Sequence, residues 1–279
     1  MDTLQPYVVD PPEGIVHTHT IILLHGRGST AKEFATDLFS LKTSTSHKSL
    51  RDSFPSVWWV FPDAGQRWCT AFKEARSAWF DTVSLDHLDQ RQDLQIPGLR
   101  DSIAVVKDII ESEVDKLNGD ANRIALGGFS QGSAVALWSL FTGVVEAKRS
   151  IGAFMGLSAW MPFTKEAMVL VSSDSDLMVY ERFRNLQEGF AKLVGFESNI
   201  LGRGLCTCPE IPVYLGHGTD DALINIENCY CLSTIFTAVG AIIEVKEYTG
   251  ADREGHWVKD PEQIDDIAEF LRRVLTKAD

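Results

Sequence analysis

The sequence predicts an α/β fold: one mostly parallel central sheet with helices on both faces. Three observations carry that expectation. Short apolar runs of strand length alternate with stretches of helical periodicity along the 279 residues. Between Arg123 and Gly143 a strand, a G-x-S-x-G turn and an apolar helix follow one another directly. The polar residues with reactive chemistry follow strands, at the end where open parallel sheets hold ligands.

Residues 1–19 are polar and carry Pro11-Pro12, which suits an edge strand or an arm. Thr20 to Leu24 is apolar throughout, a strand buried on both faces, and ends in the loop His25-Gly26-Arg27-Gly28-Ser29-Thr30. A short helix is expected over Ala31 to Phe39. Val57 to Phe61 is the next buried strand, closed by Pro62-Asp63-Ala64-Gly65. Residues 66–97 read as a long irregular loop rich in aromatics, including Trp68, Phe72 and Trp79-Phe80-Asp81. Leu99, Ile103, Val106, Ile110, Val114 and Leu117 then recur at spacings of three and four, an amphipathic helix that Asn118-Gly119-Asp120 stops. Ile124 to Leu126 begins the strand that enters Gly128-Phe129-Ser130-Gln131-Gly132, and a helix runs from Gln131.

Ile151 to Leu157 is another buried strand, leading into Ser158-Ala159-Trp160. Residues 163–210 are less regular. Within them Leu177, Tyr180, Phe183, Leu186, Phe190 and Leu193 form a helical stripe. An extra packed helix is the simpler reading of that stripe; a cap or lid over a pocket is the functional one. Val213 to Gly216 is a strand ending in His217-Gly218-Thr219-Asp220-Asp221, and a helix follows around Asn225 to Val239. Ile243 to Tyr248 alternates, as a half-exposed strand near a sheet edge does. The last helix is expected to start at Asp260-Pro261, as N-cap and first helical residue. With no repeat, low-complexity tract or linker in view, one domain over 1–279 is expected.

Composition narrows the function. A net charge of −13 argues against a nucleic-acid partner, whose phosphates need Lys and Arg, and against standing attachment to anionic membranes. No apolar run reaches the ~20 residues of a membrane span, so no stable membrane insertion is expected. Met-Asp-Thr-Leu-Gln-Pro has neither a basic nor an apolar signal region, so a cytoplasmic protein is expected. The five cysteines are odd in number, which suits reduced thiols. Cys206/Cys208 and Cys229/Cys231 are C-x-C pairs. No metal site is expected from them: Cys229 and Cys231 fall on an expected helix, where i and i+2 do not face one way, and C-x-C is not the usual C-x-x-C clip.

Ser130 is the candidate nucleophile. At a strand-to-helix turn its hydroxyl stands above the sheet edge, and the amide of Gln131, at the helix N-terminus, faces a developing oxyanion. A serine needs a base, and His256 is the histidine on the loop after the last strand. His25 and His217 sit in His-Gly turns and are expected to brace loops; His17, His19, His47 and His87 look like surface or arm residues. Asp221 would orient the imidazole, with Asp220 as competitor.

Together these residues resemble the acyl-protein thioesterase and carboxylesterase (phospholipase/carboxylesterase) family of α/β-hydrolases. The resemblance rests on His25-Gly-Arg-Gly, Trp79-Phe-Asp81, Arg123-Ile-Ala-Leu-Gly-Gly-Phe-Ser-Gln-Gly132, Gly156-Leu-Ser-Ala-Trp160, His217-Gly-Thr-Asp-Asp221 and Gly255-His256. It implies an α/β-hydrolase fold and a triad of Ser130, Asp221 and His256, with the acid at Asp221. It also implies oxyanion amides at Arg27 and Gln131, and no cofactor. Trp79, Phe80 and Trp160 are candidates for an acyl groove, with core packing the equal alternative.

The substrates it implies are small acyl esters or thioesters, S-palmitoylated proteins or lysophospholipids. A carboxylesterase for small or pathway-specific esters is the rival within enzymes; a non-catalytic binding module is the rival outside them. The chain departs from the family pattern at Ser133, where Gly is usual, at Ser29 for Asp, at Ala222 for Pro, and at Arg27 for an apolar residue. The 163–210 segment is also longer than the family suggests. These departures bear on substrate preference, not on the triad.

Overall fold

The computed structural model describes residues 5–143, 151–172, 177–196 and 210–276. In chain order the strands are β1 Tyr7–Val9, β2 His19–Leu24, β3 Val57–Phe61, β4 Gln66–Cys69, β5 Glu74–Ser77, β6 Ile124–Phe129, β7 Ala153–Leu157, β8 Pro212–Gly218 and β9 Ile242–Tyr248. The helices are α1 Ala31–Ser40, α2 Leu50–Ser53, α3 Ile96–Lys116, α4 Gln131–Phe141, α5 Thr164–Ser172, α6 Val179–Val194, α7 Glu227–Ala238 and α8 Glu262–Leu275.

Seven strands form one sheet in the order β1-β3-β2-β6-β7-β8-β9. All neighbours pair parallel except β1, which runs antiparallel to β3 at the edge. Both faces are covered. Along β2, Ile22 and Leu24 enter one core with residues of α3, α4, α6 and α7, while Ile21 and Leu23 enter a second with residues of α1 and α8. That alternation explains why the strand is apolar at every position. The expected α/β class, with its mostly parallel sheet, is the observed one.

Helix sequences fit their places. Every residue of α4 is buried, and it is apolar nearly all round. α8 is amphipathic and buries Ile264, Ile267, Ala268, Leu271 and Val274. α1 starts at a capping box: Glu33 N donates to Thr30 Oγ1 and Thr30 N donates to Glu33 Oε2.

Three expectations need correction, and the stripe in 163–210 takes the packed-helix reading. Part of 66–97 is a two-stranded hairpin, β4 against β5, where an irregular loop was expected. Its strands are four residues each and mostly exposed, too short for a periodic signal. Pro261 is itself the cap of α8, which begins at Glu262; Asp260 instead accepts Lys42 N at 3.1 Å. His19 is buried as the first residue of β2, not on the surface. The stripe in 163–210 lies on α6 and buries Phe183, Leu186 and Phe190 against α3, α4 and α5. Leu177 lies before that helix and Leu193 is only partly buried.

The chain order reverses between β2 and β6: β3 lies outward on one side of β2, and β6 through β9 on the other. A crevice outside the C-terminal strand ends opens at such a switch point. Leu24 is in register with Gly128, so the loop after β2 and the turn after β6 leave the sheet side by side.

Candidate active site

Ser130 occupies the turn between β6 and α4 with φ 52° and ψ −120°, a backbone state rare for a non-glycine residue. Its amide is anchored to Leu157 O at 2.9 Å, one strand away. The turn closes because its flanking residues have no side chain. A Cβ at Gly132 would overlap the carbonyl oxygens of Leu24 and His25, and one at Gly128 would lie 2.6 Å from Gly132 C. The motif therefore records close backbone approach as well as turn conformation.

Ser130, His256 and Asp221 come together from three loops. Ser130 Oγ lies 3.0 Å from His256 Nε2. His256 Nδ1 lies 2.7 Å from Asp221 Oδ2. A carboxylate only accepts, so Nδ1 carries the proton and Nε2 is left to accept from the serine hydroxyl. The other carboxylate oxygen of Asp221 accepts Leu223 N at 2.9 Å and Ile224 N at 2.8 Å. Burial is the largest influence on Asp221 and pushes its carboxyl up. His256 and the two amides outweigh it, so the carboxyl stays below its ordinary range.

Asp220, the competing acid, faces elsewhere and accepts Gly250 N at 2.8 Å. Its own carbonyl lies where Gly255 has no side chain, 2.6 Å from the place a Cβ would take. That contact brings the loop of the histidine against the loop of the acid. Ala222 adds a second tie, donating its amide to Glu254 O at 3.1 Å. Proline at that position has no N–H to give.

Two other buried histidines, His25 and His217, brace loops. His25 Nδ1 donates to Gly26 O at 2.8 Å and Nε2 accepts Ala64 N at 3.1 Å, joining the loops after β2 and β3. His217 Nε2 donates to Ile224 O at 2.8 Å. Burial above all holds both below the ordinary histidine range.

The amides of Arg27 and Gln131 donate to no group among the described residues. Gln131 also acts through its side chain, a role the sequence reading missed. Its Oε1 accepts Trp79 N at 3.0 Å and its Nε2 donates to Phe80 O at 2.9 Å. The turn after β6 is thereby stitched to the aromatic loop. A buried glutamine at the first position of an apolar helix was the available signal.

The three aromatic candidates part company. Trp79 and Phe80 are enclosed in the core, and the Trp79 indole donates to His25 O at 2.8 Å. Trp160 lines a cavity of about 550 Å³ beside Asp221, with Leu88, Met161, Lys165 and Leu223 also in its wall. Of the three acyl-groove candidates only Trp160 faces this cavity, whose wall includes Asp221 but neither Ser130 nor His256. Phe80 supports Trp160 from behind, with ring centroids 5.7 Å apart.

Cys69 and Cys229 are buried free thiols; Cys206 and Cys208 lie outside the described residues. Among the described residues no group of three His, Cys, Asp or Glu is placed to hold a metal, and no helix is long and apolar enough to cross a membrane.

The sequence model of the phospholipase/carboxylesterase family matches residues 7–179. The chain belongs to that family. Among curated proteins, this phospholipase/carboxylesterase member is 26% identical to acyl-protein thioesterase 1 of Cryptococcus neoformans, over 98% of each chain. It is 27% identical to acyl-protein thioesterase 1 of Yarrowia lipolytica over 80% of this chain and 79% of that one. Among solved structures, Zea mays acyl-protein thioesterase 2 superposes with a TM-score of 0.64 at 22% identity, covering 97% of this chain and 99% of that one. Esterase PE8 superposes with a TM-score of 0.65 at 18% identity, covering 98% and 99%. These superpositions agree with the α/β-hydrolase fold expected of a family member. The family is one of esterases and thioesterases, so the member is an ester hydrolase in class.

Proposed function

We propose that the protein is a serine hydrolase that cleaves carboxylic thioesters and esters through an acyl-enzyme on Ser130. The observation that carries this is the unbroken chain Ser130 Oγ, His256 Nε2, His256 Nδ1, Asp221 Oδ2, with steps of 3.0 and 2.7 Å. Ser130 Oγ attacks the acyl carbon while its proton passes to His256 Nε2. The carbonyl oxygen becomes an oxyanion, held by the Arg27 and Gln131 amides; such a donor is worth about 10²–10³ in kcat. Collapse breaks the C–S or C–O bond, and His256 returns the proton to the leaving thiolate or alkoxide. Water then attacks the acyl-enzyme, giving its proton to His256; collapse breaks the bond to Ser130 Oγ, His256 returns that proton to Oγ, and the acid leaves. Every proton moves through side chains of this chain, so no cofactor is required.

The relatives named acyl-protein thioesterase 1 support S-acylated proteins as substrates. Buried free thiols at Cys69 and Cys229 suit a reducing, cytoplasmic setting. One domain, with Thr164 and Lys165 at the start of the 163–210 segment contributing to the cavity wall beside Trp160, is the organisation we propose. A second reading, a carboxylesterase for small polar esters, is favoured by the lining of the cavity, which includes Asp86, Asp89, Gln92 and Lys165.

The test is fluorophosphonate labelling of wild type and Ser130→Ala, followed by turnover of thioesters and oxoesters of increasing acyl length. Labelling of wild type alone is expected. Equal labelling of Ser130→Ala, or none of either, overturns the hydrolase reading and leaves a binding module. Turnover confined to short oxoesters overturns the S-acyl-protein reading and leaves the carboxylesterase.

A further inference from the structure

The side chain of Arg27 has no role in the chemistry above. Its surroundings are unusual for a cation. Nearby cations on the β4–β5 hairpin are matched: Arg67 pairs with Asp101 at 3.1 Å, and Arg76 with Glu74 at 2.9 Å. Arg27 makes no ion pair and no side-chain hydrogen bond among the described residues. Its guanidinium instead lies over the Phe72 ring, 5.2 Å from the centroid, with Arg76 at 4.1 Å from the same ring. Burial is the largest influence on the group and holds it below the ordinary arginine range; Cys69 opposes this and Arg76 adds to it. The side chain stays charged at neutral pH all the same.

A half-buried guanidinium that meets no anion carries a partial desolvation cost. An aromatic face offsets part of it, but a carboxylate, meeting the planar fork with two hydrogen bonds, offsets far more. The position is also fixed. The loop of Arg27 is clamped to the hairpin by Gly28 N on Ser77 O at 2.8 Å and Ser77 Oγ on Ser29 O at 2.5 Å. On its other side, the place a Cβ of Gly26 would take lies 3.5 Å from Ser130 Cβ. The cation therefore begins one residue from a glycine whose missing side chain would meet Ser130. Long-range attraction cannot bring an anion here, because the chain carries −13 overall. Recognition has to be local.

We propose that the Arg27 guanidinium is a subsite for a carboxylate carried by the substrate a few atoms from its scissile carbonyl. The preferred substrates are then anionic esters or thioesters, in place of wholly apolar ones. The proposal rests on Ser130 being the nucleophile and specifies what that nucleophile selects.

The experiment compares kcat/KM for three activated esters in wild type, Arg27→Leu and Arg27→Lys. 4-Nitrophenyl butyrate is the neutral reference. 4-Nitrophenyl hemisuccinate carries the carboxylate on the acyl side, and the butyryl ester of 4-hydroxybenzoate carries it on the leaving group. The readout is the ratio of anionic to neutral kcat/KM, so any change in the oxyanion amide divides out. In Arg27→Leu the ratio falls about 10- to 100-fold for one anionic ester, as expected for loss of a charge-assisted pair, and Arg27→Lys falls less. The ester that responds shows which side of the scissile bond the subsite serves.

An unchanged ratio for both anionic esters overturns the proposal, even if all three rates drop together. That second pattern would mean that the cation serves only the oxyanion. Arg27→Gln guards against a folding failure of Arg27→Leu: an anionic-to-neutral ratio equal to that of wild type in the folded variant overturns the proposal. Failure to hydrolyse the neutral ester would instead strike the serine-hydrolase reading, so the two failures are distinguishable.

Discussion

At Ser130 the backbone sits in a state that surrounding contacts must hold, and each contact can be named. Leu157 O takes its amide, Gly128 and Gly132 allow the neighbouring backbone in, and Gln131 ties the turn to Trp79 and Phe80. The two adjacent aspartates show how sharply geometry divides roles at this scale. Asp221 faces His256 and Asp220 faces Gly250. Asp221→Asn is expected to lower kcat by about 10³–10⁴, because an amide no longer fixes the tautomer that leaves Nε2 free to accept. Asp220→Asn keeps an acceptor for Gly250 N and is expected to cost less than about tenfold. Steady-state kinetics of the two variants, with melting temperatures as a control for folding, checks this; equal losses would remove Asp221 from the role.

Among elements, α6 is the one whose meaning was most open. Its stripe faces the helical layer: Phe190 and Trp138 have ring centroids 4.3 Å apart, and Phe183 and Phe141 6.5 Å. Periodicity alone states that a helix has an apolar face and not what covers it. Phe190→Ala is expected to destabilise the protein by about 3–5 kcal/mol, as a fully buried aromatic does when truncated. Breaking the exposed Arg184–Glu188 pair should leave stability almost unchanged. Urea unfolding of both variants measures the contrast, and a small loss at Phe190 would detach α6 from the core. The hairpin β4–β5 makes the complementary point. Its strands are nearly invisible in the sequence, yet they clamp the loop that carries Arg27.

For the whole molecule, pH couples to stability through histidines held neutral. His25 and His217 are buried below their ordinary range, and His17 is lowered in the same direction, again chiefly by burial. Below about pH 6.5 the unfolded chain takes up these protons before the folded one does, so stability falls as pH drops. Asp221 is depressed in the fold, so its contribution is present above about pH 4 and is lost as pH falls further. Melting temperature is therefore expected to decline from about pH 7 to about pH 5, and again below about pH 4. A flat profile from about pH 7 to about pH 5 would mean that the buried histidines do not resist protonation.

The sheet, the turn at Ser130 and the order of the reactive residues were legible in the sequence, because each is written locally. Apolar runs bounded by turn residues define β2, β3, β6 and β7, and glycines around Ser130 mark a turn that larger residues would block. What the local pattern could not carry was pairing between distant residues. That Asp221 and not Asp220 meets His256, that Trp160 lines the cavity while Trp79 and Phe80 fill the core, and that Arg27 pairs with no carboxylate among the described residues all depend on loops converging at one end of the sheet. Such contacts span tens to more than a hundred residues of chain, and only packing selects among the residues that have the right chemistry.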